Sequence, residues 1–231
     1  MSKKPINPVI VPAGGDSRPE AGATGGAEKI VVNGAAKIVV IGASAGGTVA
    51  VRKILSELPA NLPGLIIVLH MPPGFTASYA QTLNSVCAMR VKEAANGEPL
   101  GAGCAYIAPG GQHLLLEKKR GRFFLKLDNG PPVNRHRPSV DKTFFSAAAC
   151  SSPNSMGIIL TGMGDDGAKG LKEMYERGCV TVAQDQESCL VFGMPRKAIA
   201  MGAAAMVLPL EEIPQAILRF IQEANQNTPA F

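Results

Sequence analysis

Short, largely apolar runs separated by stretches of helical periodicity constrain the fold of this chain more than any other feature. The runs lie at residues 38–41, 65–69, 156–160, 180–183 and 205–208. Runs of this length are typical of strands buried on both faces of a sheet. Apolar residues at helical spacing lie between or after the runs, at Val51, Ile54, Leu55 and Leu58 and at Ile213, Ile217, Phe220 and Ile221. The alternation predicts an α/β fold with a doubly wound, mainly parallel sheet and helices on both faces.

One region departs from this alternation. Strand-like pieces at residues 104–108, 112–117 and 122–127 are separated by Pro109-Gly110-Gly111 and Lys119-Arg120-Gly121, which are turn sequences. We expect them to form a small antiparallel edge. The predicted domain covers residues 37–223. Residues 1–36, rich in Gly and Pro, predict a flexible tail or linker, and residues 224–231 predict a C-terminal tail.

Composition excludes several classes of function. No run of 18 apolar residues occurs and the N-terminus does not resemble an export signal, so a cytoplasmic protein is expected. The formal charge is +5, but the chain has no Trp and only three Tyr, which argues against nucleic-acid binding. Five widely spaced cysteines without a C-x-x-C pair indicate neither a disulfide framework nor a metal site.

The sequence Gly42-Ala43-Ser44-Ala45-Gly46-Gly47 lies between a predicted buried strand and an amphipathic helix. As a G-x-S-x-G turn, it would expose the Ser44 hydroxyl as a nucleophile at the strand's carboxyl end. As a glycine-rich loop, it could bind a dinucleotide, but that interpretation expects an acidic residue at the end of the second strand, where this chain has His70. A third interpretation makes Ser44 only a helix N-cap.

Candidate partners for Ser44 follow two other predicted strands. His70 ends the second strand, while Asp165 and Asp166 follow the strand at 156–160. The carboxyl ends of such strands line one crevice, so a serine, a histidine and either aspartate could meet there. In the expected triad, His70 Nδ1–H donates to the carboxylate and Nε2 accepts the serine proton. The chain order serine, histidine, aspartate does not fit an α/β-hydrolase.

Six segments together resemble one known family, in the right order over about residues 37–222. They are GASAGG (42–47), HMPPGFT (70–76), YIAPG (106–110), GPPVNRHRPSVD (130–141), LTGMGDDG (160–167) and QDQESCLVFGMP (184–195). These are similar to the catalytic domain of the CheB family of protein-glutamate methylesterases. The resemblance implies Ser44 as nucleophile, His70 as base and Asp166 as the orienting carboxylate. It also implies that Ala45 and Met163 lie near the site, with Met163 N–H as an oxyanion donor.

The resemblance further implies hydrolysis of glutamate γ-methyl esters on the cytoplasmic helices of chemoreceptors, and deamidation of receptor glutamines, without a metal or cofactor. Arg135, His136 and Arg137 are candidate substrate-binding residues. The chain contains no receiver domain, so we expect a separate receiver protein as a partner, and contact with the membrane only through the receptor. An esterase for another ester, and a non-catalytic scaffold, stay open as alternatives.

Overall fold

The computed structural model describes residues 37–151 and 153–226. The predicted tail at 1–36 lies outside them. The described residues form nine strands: β1 (Ile38–Ala43), β2 (Leu65–Leu69), β3 (Arg90–Glu93), β4 (Cys104–Ile107), β5 (His113–Lys119), β6 (Arg122–Asp128), β7 (Ser155–Ile159), β8 (Val180–Gln184) and β9 (Met206–Leu208). The α-helices are α1 (Gly47–Glu57), α2 (Phe75–Asn84), α3 (Val140–Ser151), α4 (Ala168–Glu176), α5 (Met194–Ala200) and α6 (Ile213–Gln226), the last preceded by a 3₁₀ turn (Leu210–Glu212).

Seven strands form one parallel sheet in the order β3-β4-β2-β1-β7-β8-β9. Side chains of β1 alternate between the two faces. Val39 and Ile41 belong to the core formed with α1, α2 and α6, whereas Ile38 and Val40 belong to the core formed with α3, α4 and α5. The predicted doubly wound sheet with helices on both faces is therefore confirmed.

The prediction for residues 104–108 was wrong. β4 is a parallel strand inside the sheet, between β2 and β3, and all four of its residues are buried. β3 forms one edge of the sheet, and its sequence Arg-Val-Lys-Glu lacks an apolar run because an edge strand can leave side chains in solvent. β5 and β6 do pair antiparallel as predicted, but as a separate two-stranded sheet.

The order in which the chain adds strands to the sheet changes direction at β1. After β1 it passes to β2, and it later returns to β7 on the other side of β1. Ligand sites of open α/β sheets form at the carboxyl ends of strands at such a point. α6 extends to Gln226, past the predicted boundary at 223, and residues 227–231 lie outside the described part. None of the helices in the described ranges is long and apolar enough to cross a bilayer.

Candidate active site

The Ser44 turn joins β1 to α1 and is held by backbone hydrogen bonds. Ser44 N–H donates to the carbonyl of Thr161 at 3.0 Å, and Gly47 N–H donates to the Ser44 carbonyl at 2.7 Å. Thr161 Oγ1 donates to the carbonyl of Ala45 at 2.9 Å. Gly46, the residue before α1, has φ +79°, a left-handed conformation that glycine adopts without strain. Ser44 is half-buried, on a turn that these hydrogen bonds hold in place.

His70 lies beside this turn because β1 and β2 are register neighbours. Ala43 pairs with Leu69, the last residue of β2, so Ser44 and His70 follow adjacent strand ends. His70 N–H donates to the Ala43 carbonyl at 3.3 Å. The imidazole side chain is 6% exposed, and its Nε2 lies 2.8 Å from Asp166 Oδ2. The structure thus places His70 against Asp166 at the strand ends, and not against the exposed Asp165.

The structure reverses the predicted contacts of the two ring nitrogens. Nε2 contacts the carboxylate, and Nδ1 is buried with no hydrogen-bond partner among the described residues. Asp166 follows β7, and β1 separates β7 from β2, so the imidazole must span the width of a strand. Nε2 is the ring nitrogen farther from the backbone, and it is the one that covers this distance. With Nε2–H donating to Asp166, Nδ1 is the nitrogen that can accept a proton.

The Asp166 carboxylate is buried at the N-terminus of α3. Its described donors are His70 Nε2 and Asn134 Nδ2 at 2.8 Å, Ser139 Oγ at 2.8 Å, Val140 N–H at 2.7 Å and Asp141 N–H at 3.3 Å. Burial by itself raises the pKa of Asp166, but the hydrogen bonds from His70, Asn134, Val140 and Ser139 outweigh it, and the pKa lies below its ordinary value. The positive end of the α3 dipole acts in the same direction. Asp166 is therefore an anion that can orient His70.

A second buried carboxylate, Asp141, accepts a hydrogen bond at the N-terminus of α4, as Asp166 does at the N-terminus of α3. It lies in the first turn of α3 and accepts from Gly170 N–H, in the first turn of α4, at 2.7 Å. Asn134 Nδ2 donates to Asp141 Oδ2 at 2.7 Å as well as to Asp166, and thus bridges the two carboxylates. Burial raises the pKa of Asp141. Asp166, from the loop before α4, therefore accepts hydrogen bonds at the N-terminus of α3, and Asp141, from α3, accepts one at the N-terminus of α4.

The chain is similar to proteins of one known family over most of its length. The family model described as CheB methylesterase matches residues 39–217. The chain belongs to this family. It is 44% identical to the crystal structure of the Thermotoga maritima CheB methylesterase catalytic domain, with a TM-score of 0.78, over 80% of this chain and 98% of that one.

Two curated relatives are also similar to this chain over most of its length. A protein-glutamate methylesterase/protein-glutamine glutaminase of Rhodopseudomonas palustris is 53% identical over 80% of this chain and 51% of its own length. One from Chromohalobacter salexigens is 54% identical over 77% of this chain and 50% of its own length. The chain thus spans about half the length of the curated relatives that it matches.

The two residues that CheB resemblance placed near the nucleophile lie on exposed loops. Ala45 follows Ser44, and Met163, 75% exposed, follows Gly162. A Cβ on Gly162 would lie 2.8 Å from Ser44 Cβ, so this loop is in contact with the Ser44 turn. The backbone N–H groups of Ala45 and Met163 donate to no described residue. Both are free to donate to a ligand beside Ser44.

The candidate substrate-binding residues separate into three environments. Arg135 is exposed, with a left-handed backbone (φ +67°). The Arg137 guanidinium donates to the carbonyls of Asn129 and Gly130 at 3.1 Å, so it fastens its own loop. The His136 ring stacks on His70, with centroids 3.6 Å apart and planes inclined by 4°.

Several neighbours of the site were not singled out from the sequence. The segment 130–141, which resembles the CheB family, contains Asn134, Ser139 and Asp141 and could have drawn attention to them. No pattern in the sequence pointed to Arg196 or Lys197. They line an open cavity of about 750 Å³ together with Met163 and Phe192. The exposed Asp165 lines it too, so basic, acidic and apolar side chains border this cavity. Within the described ranges, no group of three or more His, Cys, Asp or Glu residues could hold a metal ion.

Proposed function

We propose that this chain is a serine hydrolase that removes methyl groups from glutamate γ-methyl esters of chemoreceptors, with Ser44 as nucleophile, His70 as base and Asp166 as orienting carboxylate. The observation that carries the proposal is the buried His70–Asp166 contact of 2.8 Å beside the Ser44 turn. A carboxylate held by that many donors fixes one tautomer of the imidazole, as serine hydrolysis requires. Membership of the CheB methylesterase family supports the ester as substrate.

In the proposed reaction, Ser44 Oγ attacks the γ-carbonyl carbon while His70 Nδ1 takes the hydroxyl proton. The ester oxygen then leaves as methanol with that proton, and an acyl-enzyme forms on Ser44. Water then attacks the acyl group and gives a proton to the same nitrogen, which passes it to Ser44 Oγ as the bond to the glutamate carbonyl carbon breaks. Asp166 stabilises the imidazolium through Nε2–H, and the N–H groups of Ala45 and Met163 stabilise the oxyanion. The hydrogen bond between nucleophile and base is commonly long in enzymes without substrate.

The proposed substrate is a segment of the receptor's cytoplasmic helices. Arg196 and Lys197 beside the cavity, and Arg135 at the loop tip, would favour acidic residues near the target glutamate. The protein would then work in the cytoplasm and reach the membrane only through the receptor. A separate receiver protein is the proposed regulatory partner. Glutamine deamidation by the same residues is a second candidate activity, because the relatives' names include it.

Methanol release from methylated receptor membranes tests the proposal. We expect Ser44→Ala to lower kcat on the order of 10⁴-fold, because the nucleophile is lost. Ser56→Ala is the matched control, since Ser56 is exposed on α1, where its hydroxyl donates to the Lys53 carbonyl. It should keep full activity.

The outcomes separate the alternatives. A wild type that hydrolyses p-nitrophenyl esters but releases no methanol from receptors would indicate an esterase for another substrate. A wild type inert on both would favour a non-catalytic scaffold. If Ser44→Ala kept the wild-type rate on receptors, Ser44 would not be the nucleophile.

A further inference from the structure

The His136 ring covers one face of the His70 ring. The planes are almost parallel, inclined by 4°, and the centroid separation of 3.6 Å leaves no space between the rings. Among the described residues, the His70 ring makes a hydrogen bond only at Nε2, because Nδ1 has no partner. A single hydrogen bond fixes the position of one ring atom but allows the ring plane to tilt about it. The stack is the contact that fixes the plane.

His136 is itself held by a rigid turn. Val133 and His136 exchange both backbone hydrogen bonds, at 3.0 and 2.8 Å, and the two residues between them have φ +50° and +67°. Positive φ at both central positions is the pattern of a type I′ turn, in which Asn is favoured. The Asn134 side chain of this turn donates to Asp141 and Asp166. The turn is therefore fastened to the carboxylate that His70 contacts.

The segment on either side of the turn is fixed by a third histidine. His113 is fully buried; its Nδ1 accepts from Ser139 N–H at 3.1 Å and its Nε2 contacts the Pro131 carbonyl at 3.0 Å. Gly111 N–H donates to the Arg137 carbonyl at 3.1 Å. These bonds tie both ends of residues 131–139 to β5 and the turn before it. His136 is thus presented to His70 from a fixed support.

We propose that His136 is a positioning residue for His70: its stacked ring holds the imidazole in the plane in which Nε2–H meets Asp166 and Nδ1 stays without a hydrogen bond among the described residues. The proposal rests on the function proposed above. In it, His136 transfers no proton and makes no bond to the reacting atoms. Its neutral π face also lies against the ring that becomes an imidazolium in the reaction.

The electrostatic surroundings are consistent with a neutral His136. Burial lowers its pKa, and the neighbouring His70 lowers it further, while Asp166 and Asp165 raise it less and Arg135 lowers it. At neutral pH the ring is therefore uncharged. An uncharged aromatic face attracts a cation, whereas a second imidazolium at 3.6 Å would repel it.

Three substitutions at His136 separate the contributions of the ring, the bulk and the imidazole nitrogens. Phe keeps an aromatic face without nitrogens, Leu keeps bulk without an aromatic face, and Ala removes both. With methylated receptor membranes as substrate, we expect His136→Ala and His136→Leu to lower kcat about tenfold, the size of a strong aromatic pair, with KM changed less than about twofold. His136→Phe should stay within about twofold of wild type.

The ¹H NMR resonance of His70 Nε2–H provides a readout that needs no substrate. We expect a hydrogen-bonded imidazole signal in the wild type and in His136→Phe. It should be broadened by solvent exchange in His136→Ala and His136→Leu, because an untethered ring plane breaks the bond to Asp166. Thermal unfolding of each variant checks that the fold is kept.

Each contrary outcome has a distinct meaning. If Phe is as slow as Ala, the imidazole nitrogens take part directly and the positioning role is wrong. If Leu keeps the wild-type rate and signal, bulk alone suffices and the proposal is also wrong, as it is if Ala changes neither rate nor signal. A wild type inert on receptors would remove the proposed function, while the NMR series would still support or contradict the stack.

Discussion

The two sides of the site are built in different ways. On the Ser44 side, a tight turn of contiguous residues is held by glycines that allow close approach and by hydrogen bonds to its backbone, two of them with Thr161. On the Asp166 side, a network of side chains joins two loops and two helix N-termini, and its members are up to 96 residues apart in sequence from the histidine that they serve. We call the second region the carboxylate network: Asn134, Ser139, Asp141 and Asp166. The first depends on backbone shape, and the second on buried charge.

The largest effect should come from neutralising the carboxylate that contacts His70. We expect Asp166→Asn to lower kcat on the order of 10⁴-fold, because an amide favours the wrong tautomer of the imidazole. Asp165→Asn is the matched control, since Asp165 is the exposed neighbour. It should keep the wild-type rate of methanol release. Equal losses in both variants would show that the carboxylate network does not orient His70.

The Ser44 turn predicts a loss of stability instead. A Cβ on Gly46 would lie 2.8 Å from Leu190 Cβ, so Leu190 or the turn must move. We expect Gly46→Ala to lower the free energy of unfolding by about 1–3 kcal/mol more than Gly74→Ala. Gly74 is a matched control because it also precedes a helix, with φ +87°, yet nothing lies within 4 Å of its Cβ position.

Urea unfolding of the two glycine variants measures this difference directly, since the left-handed strain is shared and only the steric contact differs. Similar destabilisation in both would mean that backbone conformation, and not the contact with Leu190, explains why glycine is needed at the Ser44 turn.

The same division explains which features of the molecule could be predicted from the sequence. The strand runs and the Ser44 turn are local patterns, so the sheet, the helices and the placement of Ser44 beside His70 could be predicted. β3 could not, because an edge strand with Arg90, Lys92 and Glu93 carries no apolar run. The choice of Asp166 over Asp165 came from family resemblance, since both follow the same strand. The reversed nitrogens of His70 depend on the reach of a side chain across β1, which no local pattern encodes.

The bridge between the two buried carboxylates should have an intermediate effect. Asn134→Ala removes one donor from each of Asp141 and Asp166. We expect it to lower the free energy of unfolding by about 1–3 kcal/mol, because a buried charged acceptor loses a hydrogen bond. Asn129→Ala is the control, as its side chain contacts only Gln112 among the described side chains and is exposed. Equal unfolding midpoints for the two variants would contradict a bridging role.

The smallest effect is a pH dependence of opposite sign at the two carboxylates. The pKa of Asp166 is lowered, so its contribution to stability is present above its unfolded value and is lost as the pH falls through the lowered pKa. The pKa of Asp141 is raised above its ordinary 3.8, chiefly by burial. Between 3.8 and that raised pKa the folded state binds a proton that the unfolded state has lost. The contribution of Asp141 is therefore full below that interval and is lost as the pH rises through it.

Asp141→Asn removes the ionisation of this side chain, because an amide of similar shape cannot ionise. We expect the stability of the wild type relative to Asp141→Asn to decrease as the pH rises from about 4 to about 7, by at most about 1.4 kcal/mol per pH unit. Urea unfolding of both proteins across this range measures it, with Asp165→Asn to account for the removal of an exposed charge. A difference independent of pH would mean that donors such as Gly170 N–H fully compensate for burial at Asp141. A decrease would mean that the network keeps Asp166 anionic at the expense of its neighbour, a constraint that the Ser44 turn, built from backbone contacts, does not have.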